Sequence, residues 1–238
     1  MIRTIIWFVA FGISLLIALM AEFRYWYLGK WGRSEKQMGV LHNTTTRWAR
    51  LMVRFTGSAV DVVGVEKIPD GHVLFVSNHQ SNFDIPLLMG YVPKFKGFVA
   101  KIELERVPVI SWWMKKMDCL FLDRQDMRQS LKVILQGIDL LKAGHTMVVF
   151  PEGTRSRSHE MGEFKKGSLK LAVKSGVPIV PVTIDGSYTL FEEHNRIRKS
   201  HVKVTIHDPV YTKNITREQE DGLVDQVYQV IEKGLMDE

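Results

Sequence analysis

Two regimes of apolar patterning divide the chain. From Thr4 to Ala21 runs an uncharged stretch of 18 residues dominated by Ile, Leu, Phe, Val and Ala. As a helix it reaches roughly 27 Å at about 1.5 Å per residue, slightly short of a hydrocarbon core of about 30 Å. It either spans a bilayer or embeds in one face of it. Phe23, Tyr25, Trp26, Tyr27 and Trp31 follow, aromatic residues of the kind that settle in the headgroup layer. A second segment, Lys36 to Phe55, places Val40, Leu41, Thr44, Trp48, Leu51, Met52 and Phe55 in one helical stripe with Arg47, Arg50 and Arg54 beside it. This predicts an amphipathic interfacial helix. The alternative is a helix that covers the core of the following domain with its arginines solvated.

From Ser58 onward, short apolar runs alternate with stretches of helical period. Strands are predicted at Ala59 to Val65, His72 to Ser77, Gly97 to Ala100, Cys119 to Leu122, Thr146 to Phe150, Ile179 to Ile184 and Val202 to His207. Helices are predicted near Ile85 to Gly90, Val109 to Lys116, Arg128 to Lys142, Lys166 to Ser175 and after Thr216. In the Arg128 helix, Leu131, Ile134, Leu135, Ile138 and Leu141 share a face, Asp126 is placed to cap the start and Gly144 to close the end. Strands alternating with helices imply an α/β sheet covered by helices. The division expected is residues 1–57 as membrane-anchoring helices and 58–238 as the body.

Charge changes the picture only when partitioned. The 238 residues carry a formal charge of +6, which invites a nucleic-acid or anionic-membrane reading. Before Ser58 there are eight basic residues against two acidic ones, and the remainder is balanced. A basic region beside an apolar run and an aromatic belt points to a membrane surface, and no nucleic-acid partner is expected. If Thr4 to Ala21 spans, the basic excess after Ala21 would put the body on the cytoplasmic side of the cell membrane. With Arg3 alone at its basic start and no small-x-small cleavage site, the first segment does not read as a removed leader. One cysteine, Cys119, excludes an intrachain disulfide and a cysteine-based zinc cluster.

Two polar constellations follow predicted strands. In Ser77-Asn78-His79-Gln80-Ser81-Asn82-Phe83-Asp84, His79 and Asp84 would point about 140° apart on a continuous helix, so they meet only across a turn. Ser81, Asn82 and Pro86 supply helix-start chemistry that makes such a turn. There a carboxylate can hold one imidazole nitrogen and leave the other to accept a proton. The competing account is a helix-capping Asp84 and a His79 satisfied by backbone. In Phe150-Pro151-Glu152-Gly153-Thr154-Arg155-Ser156-Arg157, Gly153 permits close backbone approach, Thr154 and Ser156 donate, and Arg155 can clamp a phosphate. The competing account is an exposed loop whose arginines meet only water. Nucleotide-binding glycine fingerprints and the Gly-x-Ser-x-Gly elbow are absent. The other seven histidines lack ligand spacing, so no metal is expected.

Taken in order, Asn78 to Asp84, Phe150 to Ser156 and Val177 to Val182 resemble the glycerolipid acyltransferase family, specifically its bacterial lysophosphatidate acyltransferases. Lys101-Ile102-Glu103-Leu104 with Pro108, and Phe121-Leu122-Asp123-Arg124, are similar to the family's second block. Ser111 and Asp118 stand where the family pattern has glycine. The resemblance implies a single mixed sheet covered by helices, with an N-terminal membrane-associated helical segment. It implies acyl transfer from a thioester, acyl-CoA or acyl-carrier protein, to the sn-2 hydroxyl of lysophosphatidate. His79 would be the general base and Asp84 its orienting carboxylate. Arg155, and by resemblance Arg124, would bind the acceptor phosphate, with Glu152, Gly153 and Thr154 shaping the acceptor site. Lys101 or nearby backbone N–H groups would support the thioester oxyanion. No cofactor is expected, and the expected partners are membrane lipids and the acyl donor. Two other functions compete: a sister acyltransferase acting on glycerol-3-phosphate or another lysophospholipid, and a non-catalytic membrane- or phosphate-binding protein.

Overall fold

The computed structural model describes residues 1–165 and 167–236. Two long helices come first, α1 (Ile2–Lys30) and α2 (Ser34–Arg54). Strands and helices then alternate: β1 (Ala59–Val63), β2 (Leu74–Ser77), α3 (Asp84–Tyr91), β3 (Gly97–Lys101), α4 (Pro108–Lys116), β4 (Leu120–Leu122), α5 (Met127–Lys142), β5 (Met147–Val149), α6 (Lys170–Ser175) and β6 (Ile179–Asp185). The last two elements are β7 (His201–Ile206) and α7 (Arg217–Met236). All seven predicted strands form. Lys166, where a helix is expected to begin, lies outside the described residues, and α6 starts at Lys170.

The strands make one sheet in the order β1-β7-β6-β2-β5-β3-β4. β2 is parallel to β5 and β6, and β3 is parallel to β4 and β5. β7 runs antiparallel to β6 and carries β1 parallel to itself, so the sheet is mixed, as expected. Strand residues alternate between two apolar cores. Phe75, Val148, Val180, Val182 and Ile184 pack with Leu41, Leu87, Leu88 and Trp113 on one face. Leu74, Val76, Met147, Val149 and Ile179 pack with Leu141, Leu171, Val227 and Ile231 on the other. Helices α1 to α4 therefore cover one face and α5 to α7 the other. With both faces covered, β2 and β6 read as continuous apolar runs rather than alternating ones.

Local chemistry sets the helix ends. Asp126 Oδ1 accepts from the N–H groups of Arg128 (2.8 Å) and Gln129 (3.0 Å) at the start of α5. Its end closes when the N–H of His145 reaches back to Leu140 O and that of Gly144 to Leu141 O, the Schellman pattern. Asp118 ends α4 in the same way, with Cys119 N–H donating to Met114 O. It does so at φ 56°, the left-handed conformation that glycine adopts most readily.

The helical pair α1–α2 corrects part of the sequence reading. Leu41, Thr45, Ala49, Met52 and Val53 are the buried residues of α2, whereas Leu51 and Phe55 of the expected stripe are 47% and 44% exposed. α2 packs on α3, where Gly90 leaves no room for a Cβ: one would sit 3.1 Å from Arg50 N and 3.2 Å from Ala49 Cβ. Arg50 is committed to protein, its Nε donating to Gly90 O at 2.6 Å. The helix therefore covers the core with one side and exposes apolar residues on another.

α1 is two-sided as well. Trp7, Phe11, Ser14, Ala18, Ala21, Tyr25 and Leu28 are at least half-buried, at the three-to-four spacing of a helix face packed on protein. Ile2, Ile5, Ile6, Val9, Ile13, Leu16, Ile17 and Met20 form the opposite, exposed stripe. Thr4 Oγ1 accepts from Ile197 N, Trp7 Nε1 donates to Met52 O, Trp48 Nε1 donates to Ser14 Oγ, and Gln37 Nε2 donates to Tyr25 O. The two helices thus run antiparallel, tied from end to end. α1 is long and apolar enough to cross a membrane, by length and composition.

Candidate active site

β2 to β6 are mutually parallel, so their carboxyl ends share one edge of the sheet, and that edge is where α/β sheets bind ligands. His79 follows β2, Lys101 ends β3, Arg124 follows β4, Glu152 to Arg155 follow β5 and Ser187 follows β6. Asn78 locks the first of these turns to the sheet. Its Nδ2 donates to Ile184 O and its Oδ1 accepts from Ile184 N, both at 2.8 Å.

The turn brings His79 and Asp84 together, with His79 Nδ1 2.7 Å from Asp84 Oδ2. Asp84 does not cap α3, whose start at Phe83 has no side-chain cap. Its fully buried carboxylate instead accepts from Ser81 N (2.8 Å) on Oδ2 and from Ser187 Oγ (2.5 Å) on Oδ1. Three donors around one carboxylate fix its rotamer. Ser187 N–H donates to Gln80 Oε1, which ties the β6 turn to the β2 turn. The imidazole of His79 stacks on Phe150, with ring centroids 4.1 Å apart and planes at 16°. Its side chain keeps 15% exposure, and Nε2 has no protein partner among the described residues. With Nδ1–H assigned to Asp84, Nε2 carries the free lone pair.

Glu152 braces this turn. Oε1 accepts from His79 N–H at 2.6 Å and Oε2 from Gly162 N–H at 2.9 Å, while His79 O accepts from Ser156 N–H. Burial pushes its carboxyl up to about 7, against the two hydrogen bonds that favour the charge. Both oxygens being taken by backbone donors, Glu152 holds the site together rather than reaching into it.

The basic residues divide into two groups. Arg155 is ion-paired, its Nη1 3.0 Å from Glu192 Oε1. Glu192 also accepts from Ser81 Oγ and Asn82 N–H, so this pair ties the loop after β5 to the turn after β2. Arg124 and Lys165 converge instead on Gly153, which adopts φ 75°. A Cβ there would lie 3.0 Å from Lys165 Nζ and 3.5 Å from Arg124 Cζ, so both cations lie close against this glycine. Desolvation holds the Arg124 guanidinium below its ordinary value, and the nearby Glu103 opposes that shift. Lys101 and Arg106 line a cavity of about 320 Å³ with Arg124, Glu103 and Asp123. Thr154 is exposed beside it.

Ser187, Glu192 and Lys165 were not singled out by the sequence. Ser187 directly follows a buried strand, the same context that marks His79, and Lys165 opens a basic pair soon after the Gly153 loop. Glu192 carried no such signal. Among the described residues, no group of three or more His, Cys, Asp and Glu is placed to hold a metal ion. Burial pushes the Cys119 thiol up to about 12, which makes it a poor nucleophile.

A family model described as Acyltransferase matches residues 59–185, the stretch from β1 to the end of β6. The chain belongs to the acyltransferase family. It is 40% identical over 162 residues to a probable 1-acyl-sn-glycerol-3-phosphate acyltransferase of Mycoplasma pneumoniae, covering 66% of this chain and 60% of that protein. It is 35% identical over 174 residues to the chloroplastic 1-acyl-sn-glycerol-3-phosphate acyltransferase BAT2 of Brassica napus, covering 71% and 50%. The aligned stretch thus spans half to three-fifths of those relatives. The crystal structure of PlsC, the 1-acyl-sn-glycerophosphate acyltransferase of Thermotoga maritima, superposes with a TM-score of 0.88 at 31% identity, covering 99% of this chain and 94% of that one. The acyltransferase sheet and its two N-terminal helices are therefore one architecture shared with a solved relative.

Proposed function

We propose that this acyltransferase moves an acyl chain from a thioester, acyl-CoA or acyl-carrier protein, to the sn-2 hydroxyl of lysophosphatidate, making phosphatidate. The observation that carries the reading is the His79–Asp84 pair after β2, with the Arg124–Lys165 cradle on the loop that follows the neighbouring strand β5. The names of the relatives support the choice of acceptor.

In the reaction the acceptor hydroxyl oxygen bonds to the thioester carbonyl carbon as His79 Nε2 takes its proton. The tetrahedral intermediate collapses, the C–S bond breaks, and the imidazolium returns the proton to the leaving sulfur. A thioester is already activated, so neither an enzyme nucleophile nor a cofactor is required. Asp84 stabilises the imidazolium, and the face of Phe150 adds a cation–π contribution. Arg124 and Lys165 bind the acceptor phosphate, and Lys101 lies at the edge of the same cavity as a support for the oxyanion.

Residues 1–57 serve as the membrane anchor and 58–238 as the catalytic body. Because α1 is tied to the rest of the chain from Thr4 to Tyr25, it lies along the body and embeds its aliphatic stripe in one leaflet. The basic excess of this region would draw the body to the anionic cytoplasmic leaflet. The test is an assay of the purified full chain with lysophosphatidate and a panel of thioesters, reading phosphatidate by mass. His79→Ala should lower turnover by at least about 10²-fold with the fold intact. Near-normal turnover by that variant, or no phosphatidate from any donor, refutes the proposal.

A further inference from the structure

A second cavity lies between α1 and α2, away from the His79 turn. It has a volume of about 580 Å³, within the range of roughly 300–1,000 Å³ typical of small-molecule sites. Its two walls differ in chemistry. α1 contributes Ile17, Met20, Ala21 and Leu28, with Arg24 among them, whereas α2 contributes Lys36, Asn43, Thr44 and Arg47 around Gly39 and Val40. No carboxylate lines the cavity. Arg24, Lys36 and Arg47 are exposed, and none has an ion-pair or hydrogen-bond partner among the described residues. Glu22, the nearest acidic residue on α1, turns the other way, against Trp113 of α4.

Three unpaired cations on a trough with an apolar wall are complementary to one kind of occupant. A free anion would leave Ile17 and Met20 in water, and a neutral lipid would leave the cations unmatched. The apolar wall is also continuous with the exposed aliphatic stripe of α1, through Ile13, Leu16, Ile17 and Met20. At about 1.5 Å per residue, Arg24 lies roughly 25 Å along α1 from Trp7, which packs on Phe83 beside the active-site turn. The trough is thus separate from the reacting centre.

We infer that the α1–α2 trough binds one anionic glycerophospholipid, its phosphate against Lys36 and Arg24, which the antiparallel pairing sets opposite each other, and an acyl chain along Met20 and Ile17. The inference rests on the proposed embedding of α1 in a membrane leaflet. Gly39 gives the handle for a test, because a Cβ there meets nothing within 4 Å. A Leu side chain at this mid-helix position would occupy open trough, and replacing glycine there favours the helix.

The experiment is native mass spectrometry of the full chain in detergent micelles, offered phosphatidylglycerol or phosphatidylcholine with the same acyl chains. One phosphatidylglycerol should be retained per chain, at least about tenfold over phosphatidylcholine. Gly39→Leu, and separately the double variant Arg24→Gln with Lys36→Gln, should each reduce retention by about tenfold without lowering the thermal midpoint below that of the parent. Equal retention of the two lipids, undiminished retention in both variants, or displacement of the lipid by inorganic phosphate overturns the inference. Phosphatidate synthesis is read in parallel. Its absence alongside selective retention refutes the proposed reaction and leaves the trough standing, and the reverse result refutes only the trough.

Discussion

Replacing Glu152 by Gln separates the electrostatic cost of the active-site brace from its geometry. In the unfolded chain this carboxyl titrates near 4.5, and in the folded protein burial raises it to about 7. Between those values the folded state binds more protons than the unfolded one, so stability falls as pH rises. The contribution is fully present below pH 4.5 and is lost above pH 7. The difference corresponds to about 3 kcal/mol, as an order of magnitude. Glutamine cannot titrate, so the variant should lose that slope: the parent's relative advantage is greatest near pH 5 and smallest near pH 8. Geometry predicts a separate, pH-independent loss. Two backbone donors, His79 N–H and Gly162 N–H, face this side chain. A carboxamide has one accepting oxygen, so one donor is left unpaired at about 1–3 kcal/mol. If the lost bond is that of His79, the imidazole drifts from its position and kcat should fall roughly tenfold. Denaturant midpoints of both proteins in detergent, taken from pH 4.5 to 8, with initial rates of thiol release alongside, make the measurement. A stability difference that stays flat across that range refutes the titration argument. Unchanged midpoints and unchanged kcat refute the brace.

Three further predictions rest on named contacts. Ser187→Ala removes the donor on Asp84 Oδ1, a bond to a charged group worth about 1.5–3 kcal/mol, and should lower kcat roughly tenfold with little change in acceptor KM; an unchanged kcat removes Ser187 from the site. Lys165→Ala should raise the KM for lysophosphatidate about tenfold, whereas Arg155→Ala, which frees Glu192 beside Ser81 and Asn82, should act mainly on kcat and stability; the opposite split would return the phosphate to Arg155. Buried Lys96, whose Nζ donates to Leu88 O and Val92 O, is lowered by desolvation to about 7, so stability should rise with pH from about 7 to 10.5 by up to about 5 kcal/mol. In Lys96→Met that rise should disappear from the thermal midpoints, and its persistence would assign the slope to other groups.

How much of this was legible in the sequence follows from how far each contact reaches along the chain. The strands of the sheet are short apolar runs bounded by turn residues, and that local signal placed all seven. The His79–Asp84 pair was legible because its two members are five residues apart and the turn chemistry lies between them. Ser187 and Glu192 meet the same turn from more than 100 residues away, across β6, and no local pattern reports a contact of that range. Glu192 is also the partner of Arg155. The composition of its loop fits a phosphate site, but the sequence does not show that a carboxylate 37 residues later occupies the guanidinium.

The same reasoning explains the two faces of α1. Mean hydropathy sees one apolar run, because Phe and Ala on the packed side score with Ile and Leu on the open side. Shape distinguishes them: Ala18 and Ala21 let α1 approach its neighbours, Trp7 and Tyr25 reach across to Phe83 and Trp112, and the flexible aliphatic residues are left outward. Trp7 on Phe83 and Phe8 on Phe191 set the amino end of the anchor directly against the segments that carry Asp84 and Glu192. With α1 embedded in a leaflet as proposed, an anchor fastened at that point would hold the carboxyl edge of the sheet close to that leaflet. On that proposal a lipid acceptor would have only a short distance to travel from the bilayer to His79, and the apolar exposure of α1 would become part of how substrate reaches the site.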